Sequence, residues 1–171
     1  MKKIVLISGL LAGLISVLGF ALNVTNVVDF SNGMLVGYAS MIIGFSLIFV
    51  ATVKYRDNQY GGSITFGRAF LIGLYITLIA SSVYVVVWLI TYYFFIPDYL
   101  DKYTQHYLEG LQADGASLKE ITAASAEMQD FKEMYKNPLL NALITYTEIL
   151  PVGLVVSLIS AAILQRKRLA V

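Results

Sequence analysis

The chain has 171 residues, of which 58% are hydrophobic and only 13% charged. A soluble domain carries about 25% charged residues, so half that density points to lipid as the solvent. The absence of cysteine excludes disulfides, thiolate metal sites and cysteine nucleophiles, and a single histidine excludes a multi-histidine metal site within one chain.

Four uncharged or nearly uncharged runs reach the roughly 18 apolar residues that a membrane-spanning helix needs. The first, residues 4–22, follows Lys2 and Lys3. It has a rival reading as a signal peptide, with Gly19-Phe20-Ala21 as a cleavage site. A signal core is about 7–15 residues, however, and no clearly polar start follows, so a retained span is expected. The second run, 33–53, is closed by Lys54. The third, 69–96, starts after Arg68 and ends at Pro97. At 1.5 Å per residue it would make a helix of about 42 Å, which must tilt or project from a hydrocarbon layer of about 30 Å. Its far end, Thr91-Tyr92-Tyr93-Phe94-Phe95, suits the aromatic belt of a membrane interface. The fourth, 139–164, lies between Pro138 and Arg166 and contains one charge, Glu148.

Basic residues set the expected orientation. With the N-terminus inside, the cytoplasmic flanks collect Lys2, Lys3, Lys54, Arg56, Arg68, Arg166, Lys167 and Arg168 against one acid, Asp57. The other side collects Lys102, Lys119, Lys132 and Lys136 against Asp29 and eight acids between Asp98 and Glu133. Both termini are therefore expected in the cytoplasm, with the 97–137 segment external or periplasmic.

Residues 23–32 read as a short outer turn. Residues 54–68 form the inner loop, with a turn at Gly61-Gly62 and Ser63 or Thr65 as helix caps. The glycine pair lacks the Gly-Lys-Ser/Thr ending of a P-loop, so nucleotide binding is not expected. Residues 97–137 read as two amphipathic helices of about 15 and 20 residues. Tyr99, Tyr103, Tyr107 and Leu111 make a stripe on the first. Ser117-x-x-Glu120 is a capping box for the second, where Leu118, Ile121, Met128, Phe131 and Tyr135 recur at helical spacing. The two are expected to pack on each other, to lie on the membrane surface, or to dock a partner. His106, without a companion at ligand spacing, reads as a solvated or interfacial side chain.

Glu148 is the residue singled out for function, because an ionisable group inside a span is expensive. It lies 17 residues before Gln165, about 25 Å of helix from the inner surface. The same rise reaches Tyr84 on the third span and Tyr38 on the second, so both hydroxyls are candidate partners. Asn141 and Thr145 are expected to share its face. Three readings of this intramembrane polar site stay open: structural glue, a proton- or substrate-coupled site, and a carboxylate at the lipid surface. Small residues at every fourth position suggest where helices approach closely: Ala69, Gly73, Thr77 and Ser81, then Gly153, Ser157 and Ala161. Gly9 and Gly13, and Gly33 and Gly37, form Gly-x-x-x-Gly pairs. Pro151 is expected to kink the fourth span.

The chain resembles a family of small four-span bacterial membrane proteins catalogued only as a domain of unknown function. The resemblance rests on Tyr55-Arg56-Asp57, Gly61-Gly62 and Phe66-Gly67, on Pro97-Asp98-Tyr99, and on Glu148 with Val152-Gly153-Leu154 and Gln165-Arg166-Lys167. It covers residues 1–168, implies the topology above and transfers no catalytic residue.

The expected fold is an all-α integral membrane four-helix bundle, one membrane domain over residues 1–171, with an extramembrane helical segment between the third and fourth spans. The expected function is a non-enzymatic accessory or scaffold protein of the bacterial cytoplasmic (inner) membrane. Its partners are the lipid bilayer and either a protein docked at residues 98–136 or further copies of itself, with no cofactor, metal or nucleic acid. The alternative is a small transporter or channel component using a buried Glu148.

Overall fold

The computed structural model describes residues 2–25 and 30–165. It is built of helices α1 Lys2–Val24, α2 Phe30–Tyr60, α3 Phe66–Phe94, α4 Tyr99–Ala113, α5 Leu118–Lys136 and α6 Pro138–Leu164. Four of them, α1, α2, α3 and α6, are long and apolar enough to cross a membrane. The all-α membrane bundle read from the sequence is therefore the observed architecture. Asp29 of the first turn and the basic end Arg166, Lys167 and Arg168 lie outside the described residues.

The boundaries differ from expectation where the chain leaves the apolar runs. Helix α2 does not stop at Lys54 but continues to Tyr60, so the connection to α3 is only residues 61–65. Nothing between Lys54 and Tyr60 breaks a helix; the stop comes from Gly61 and Gly62, whose φ values of +59° and +85° suit glycine. At this end the Arg68 guanidinium lies 4.7 Å from the centre of the Tyr60 ring, and Arg56 pairs with Asp57 at 2.7 Å. Helix α3 closes at Phe94, with the N–H groups of Phe95 and Ile96 both donating to the Thr91 carbonyl before Pro97. Helix α6 runs unbroken through Pro151.

The chain divides into two compact units, 1–87 with 146–171, and 88–145. In the first, the interior is filled by Met41, Phe45, Ile48, Ile72, Ile76 and Ile149, all essentially inaccessible. In lipid no hydrophobic effect draws helices together, so close backbone approach must supply the contact. The expected small-residue stripes do this on α3 and α6: Ala69, Thr77, Ser81, Ser157 and Ala161 are buried. A methyl added at Gly73 would lie 2.6 Å from Ser157 Oγ, and one at Gly153 would lie 2.8 Å from the Phe45 ring. Gly9 and Gly13 press on α3, where an added methyl would come 2.7 Å from Ile79 and Val83. The second glycine pair is a correction: Gly37 has open space around it, and Gly44 makes the close approach instead, where an added methyl would lie 2.6 Å from the Ala12 carbonyl oxygen. The reason is facing, since Gly44 lies on the side of α2 that meets α1.

The second unit contains the expected helical hairpin. Helices α4 and α5 pack on each other, and Lys132 of α5 reaches Asp101 of α4 at 2.6 Å. Rings hold it to the end of α3: Trp88 meets Tyr99 at 5.2 Å between centroids, and Tyr92 meets Tyr135 at 5.6 Å. The Tyr93 hydroxyl donates to the Tyr135 carbonyl at 2.6 Å. The tyrosine stripe forms a ladder, with centroids 6.5 Å apart for Tyr99 and Tyr103 and 6.4 Å for Tyr103 and Tyr107. Leu118, expected on the apolar face of α5, is 84% exposed at the first position after the cap.

The capping box of α5 is present, with the Glu120 carboxylate accepting from the Ser117 N–H at 2.8 Å and the Ser117 hydroxyl accepting from the Glu120 N–H at 3.4 Å. These Ser117 donors hold the Glu120 carboxyl below its ordinary value of 4.5. A lowered folded-state value means that this contribution is complete above the ordinary value and fades as pH falls through the folded one. Ser117→Ala is expected to speed hydrogen exchange in the first turn of α5 roughly fivefold at neutral pH. That difference from the unchanged chain should shrink as the solution is acidified below 4.5.

Candidate functional site

Glu148 stands on the exposed side of α6, not in the interior. This corrects the expectation of a buried carboxylate. The buried residues on either side of it, Thr145, Ile149 and Gly153, turn another face of the helix inward. Among the described residues Glu148 makes no hydrogen bond or ion pair. A charged side chain at the centre of a spanning helix costs about 2.5–3.5 kcal/mol on insertion scales, so its position needs an account of what it meets.

The other residues of the expected polar layer are divided. Tyr38 is 41% exposed on α2. Tyr84 is buried, with its ring edge-on to Phe20 at 5.8 Å. Asn141 and Thr145 belong to the 88–145 unit and are brought together there. The Thr145 hydroxyl donates to the Asn141 carbonyl at 2.9 Å and lies 3.3 Å from its Oδ1.

Sequence reasoning missed the third member of that cluster. Trp88 Nε1–H donates to Asn141 Oδ1 at 2.9 Å, and Asn141 is fully buried with its Nδ2 unpartnered. A buried indole N–H needs an acceptor, and the sole tryptophan of a chain with few interior amides was the available signal. Two further polar contacts tie α3 to α6 within the first unit. They are Thr77 to Ser157 at 3.3 Å and Ser82 to the Tyr146 hydroxyl at 2.9 Å. None of these groups is a paired base and nucleophile; they make neutral hydrogen bonds, between α3 and α6 or within α6 itself.

The hairpin carries the remaining candidate surface. An open groove of about 520 Å³ lies between α4 and α5, lined by Tyr107, Leu111, Ala123 and Ala124 together with Asp114, Glu120 and Glu127. Among the described residues no three histidines, cysteines or carboxylates are grouped to hold a metal ion. His106 is exposed on α4.

No curated protein and no solved structure matches the chain. A family model described as a protein of unknown function, DUF4199, matches residues 7–166, from the first span to the end of the fourth. The chain therefore belongs to the DUF4199 family of proteins of unknown function.

Proposed function

We propose that this is a non-enzymatic accessory or scaffold protein of the bacterial cytoplasmic membrane, with both termini in the cytoplasm and the α4–α5 hairpin outside, where it docks a partner protein. The hairpin carries the reading. It is the one long polar insertion between the described spans, it is capped and cross-braced, and its groove is lined by both apolar and acidic side chains. Four lysines against eight acids make residues 97–137 acidic, which favours a basic partner. The uneven distribution of lysine and arginine supports the orientation. A transport path has less support, because the carboxylate it would use faces away from the interior.

The test is affinity purification of the full chain from native membranes in mild detergent, beside Asp114→Lys combined with Glu127→Lys. Both side chains are exposed, so the fold should survive. A stoichiometric partner should co-purify with the unchanged chain and fall at least tenfold with the charge-reversed one. Recovery of the same proteins in the same amounts from both would contradict docking at this groove.

A further inference from the structure

Glu148 is not the only unpartnered polar group on the outside of the spans. Tyr38 is exposed on α2, and among the described residues its hydroxyl has no hydrogen bond. The packing fixes their relative heights. Gly153 of α6 faces Phe45 of α2, and Gly73 faces both Ser157 and Ile48, so the two helices run alongside at a constant offset. Glu148 is five residues before Gly153, and Tyr38 is seven before Phe45. At 1.5 Å per residue these lie about 7.5 and 10.5 Å beyond a common level, a difference of about 3 Å that a tyrosine side chain spans.

Each group also sits on a ridge shaped for helix packing. On α6 the exposed positions Glu148, Pro151, Val155 and Ile159 follow one another at three or four residues. On α2 Leu35, Tyr38, Ile42, Ser46 and Phe49 do the same. Such rows interdigitate between helices. The only polar side chains on them are Glu148, Tyr38 and Ser46, and the Ser46 hydroxyl already donates to the Ile43 carbonyl of its own helix at 2.6 Å.

We propose that two copies of this chain associate in the membrane through these ridges, α6 of one against α2 of the other, with the Glu148 carboxyl hydrogen-bonded to the Tyr38 hydroxyl of the second copy. A second copy is the occupant that the geometry favours. Inserted in the same orientation, it presents Tyr38 at the depth of Glu148 by construction, whereas an unrelated helix would need a donor placed there independently. Lipid chains offer neither group a partner.

The absence of cysteine allows a direct test. Two differently tagged full-length copies, one Tyr38→Cys and one Glu148→Cys, are co-expressed and oxidised in native membranes. The mixed disulfide should exceed by at least tenfold that formed between Glu148→Cys and Leu14→Cys, a position more exposed than Tyr38 but on α1. In vesicles, dilution of fluorescent copies should show a dimer that Glu148→Leu weakens at least tenfold and Glu148→Gln, which still hydrogen-bonds, less than threefold. A monomer at every lipid ratio, a mixed disulfide no stronger than the control, or a dimer unaffected by Glu148→Leu would each overturn the proposal.

Discussion

Gly153→Leu should be the most damaging single substitution in the spans, lowering the stability of the bundle by about 3 kcal/mol. Even a methyl at this position meets Thr77 of α3 and the Phe45 ring of α2, both fully buried. Leucine adds three further carbons where neither neighbour has room to withdraw. Overpacking a filled interior costs about 1–3 kcal/mol, and here backbone-to-backbone approach is itself the source of attraction, so the upper end applies. Gly37→Leu is the matched control: nothing lies within 4 Å of the added carbon. Leucine is also the better helix former, so stability should be unchanged or slightly raised. Unfolding in mixed micelles, followed by helix signal, separates the two. Equal effects at both sites would mean that Gly153 is not a packing point.

Asn141→Leu should be the next largest effect, at about 1–2 kcal/mol, and should be confined to the 88–145 unit. The substitution removes the acceptor of the Trp88 indole N–H in a fully buried place, while the Thr145 hydroxyl keeps its bond to the backbone carbonyl of residue 141. Stranding a buried donor costs about 1–3 kcal/mol. The unpartnered Asn141 Nδ2 already carries part of such a cost, which the leucine relieves, so the net falls toward the lower end. Trp88 is the sole tryptophan, so its emission reports on this site without interference. A shifted emission together with faster hydrogen exchange in α4 and α5 is the expected pattern. Unchanged emission would show that the indole does not depend on Asn141.

The elements were legible where the physics is local. Apolar runs gave the four spans, Ser117-x-x-Glu120 gave the start of α5, and the stripes from Ala69 to Ser81 and from Gly153 to Ala161 gave the close faces of α3 and α6. Facing was harder to read, because a spanning helix is apolar toward both its neighbours and lipid. Periodicity, which orients a helix in water, is largely silent there. The direction of Glu148 was therefore not accessible, although one clue existed. At 3.6 residues per turn Glu148 lies about 140° around α6 from Gly153 and about 180° from Ser157, the residues already marked as packing points. The Trp88–Asn141 bond joins residues 53 apart in sequence, and no local pattern encodes such a pairing.

The proposed topology puts the acidic helical hairpin outside the membrane and the basic ends of the spans in the cytoplasm. With no native cysteine to interfere, single replacements at two exposed positions test it: Lys119→Cys on α5 and Asn58→Cys at the end of α2. An impermeant maleimide added to intact cells should label position 119 fully, and position 58 only after the membrane is opened. Labelling of 58 but not 119 in intact cells would invert the topology and contradict the assignment of the hairpin as an outer docking surface.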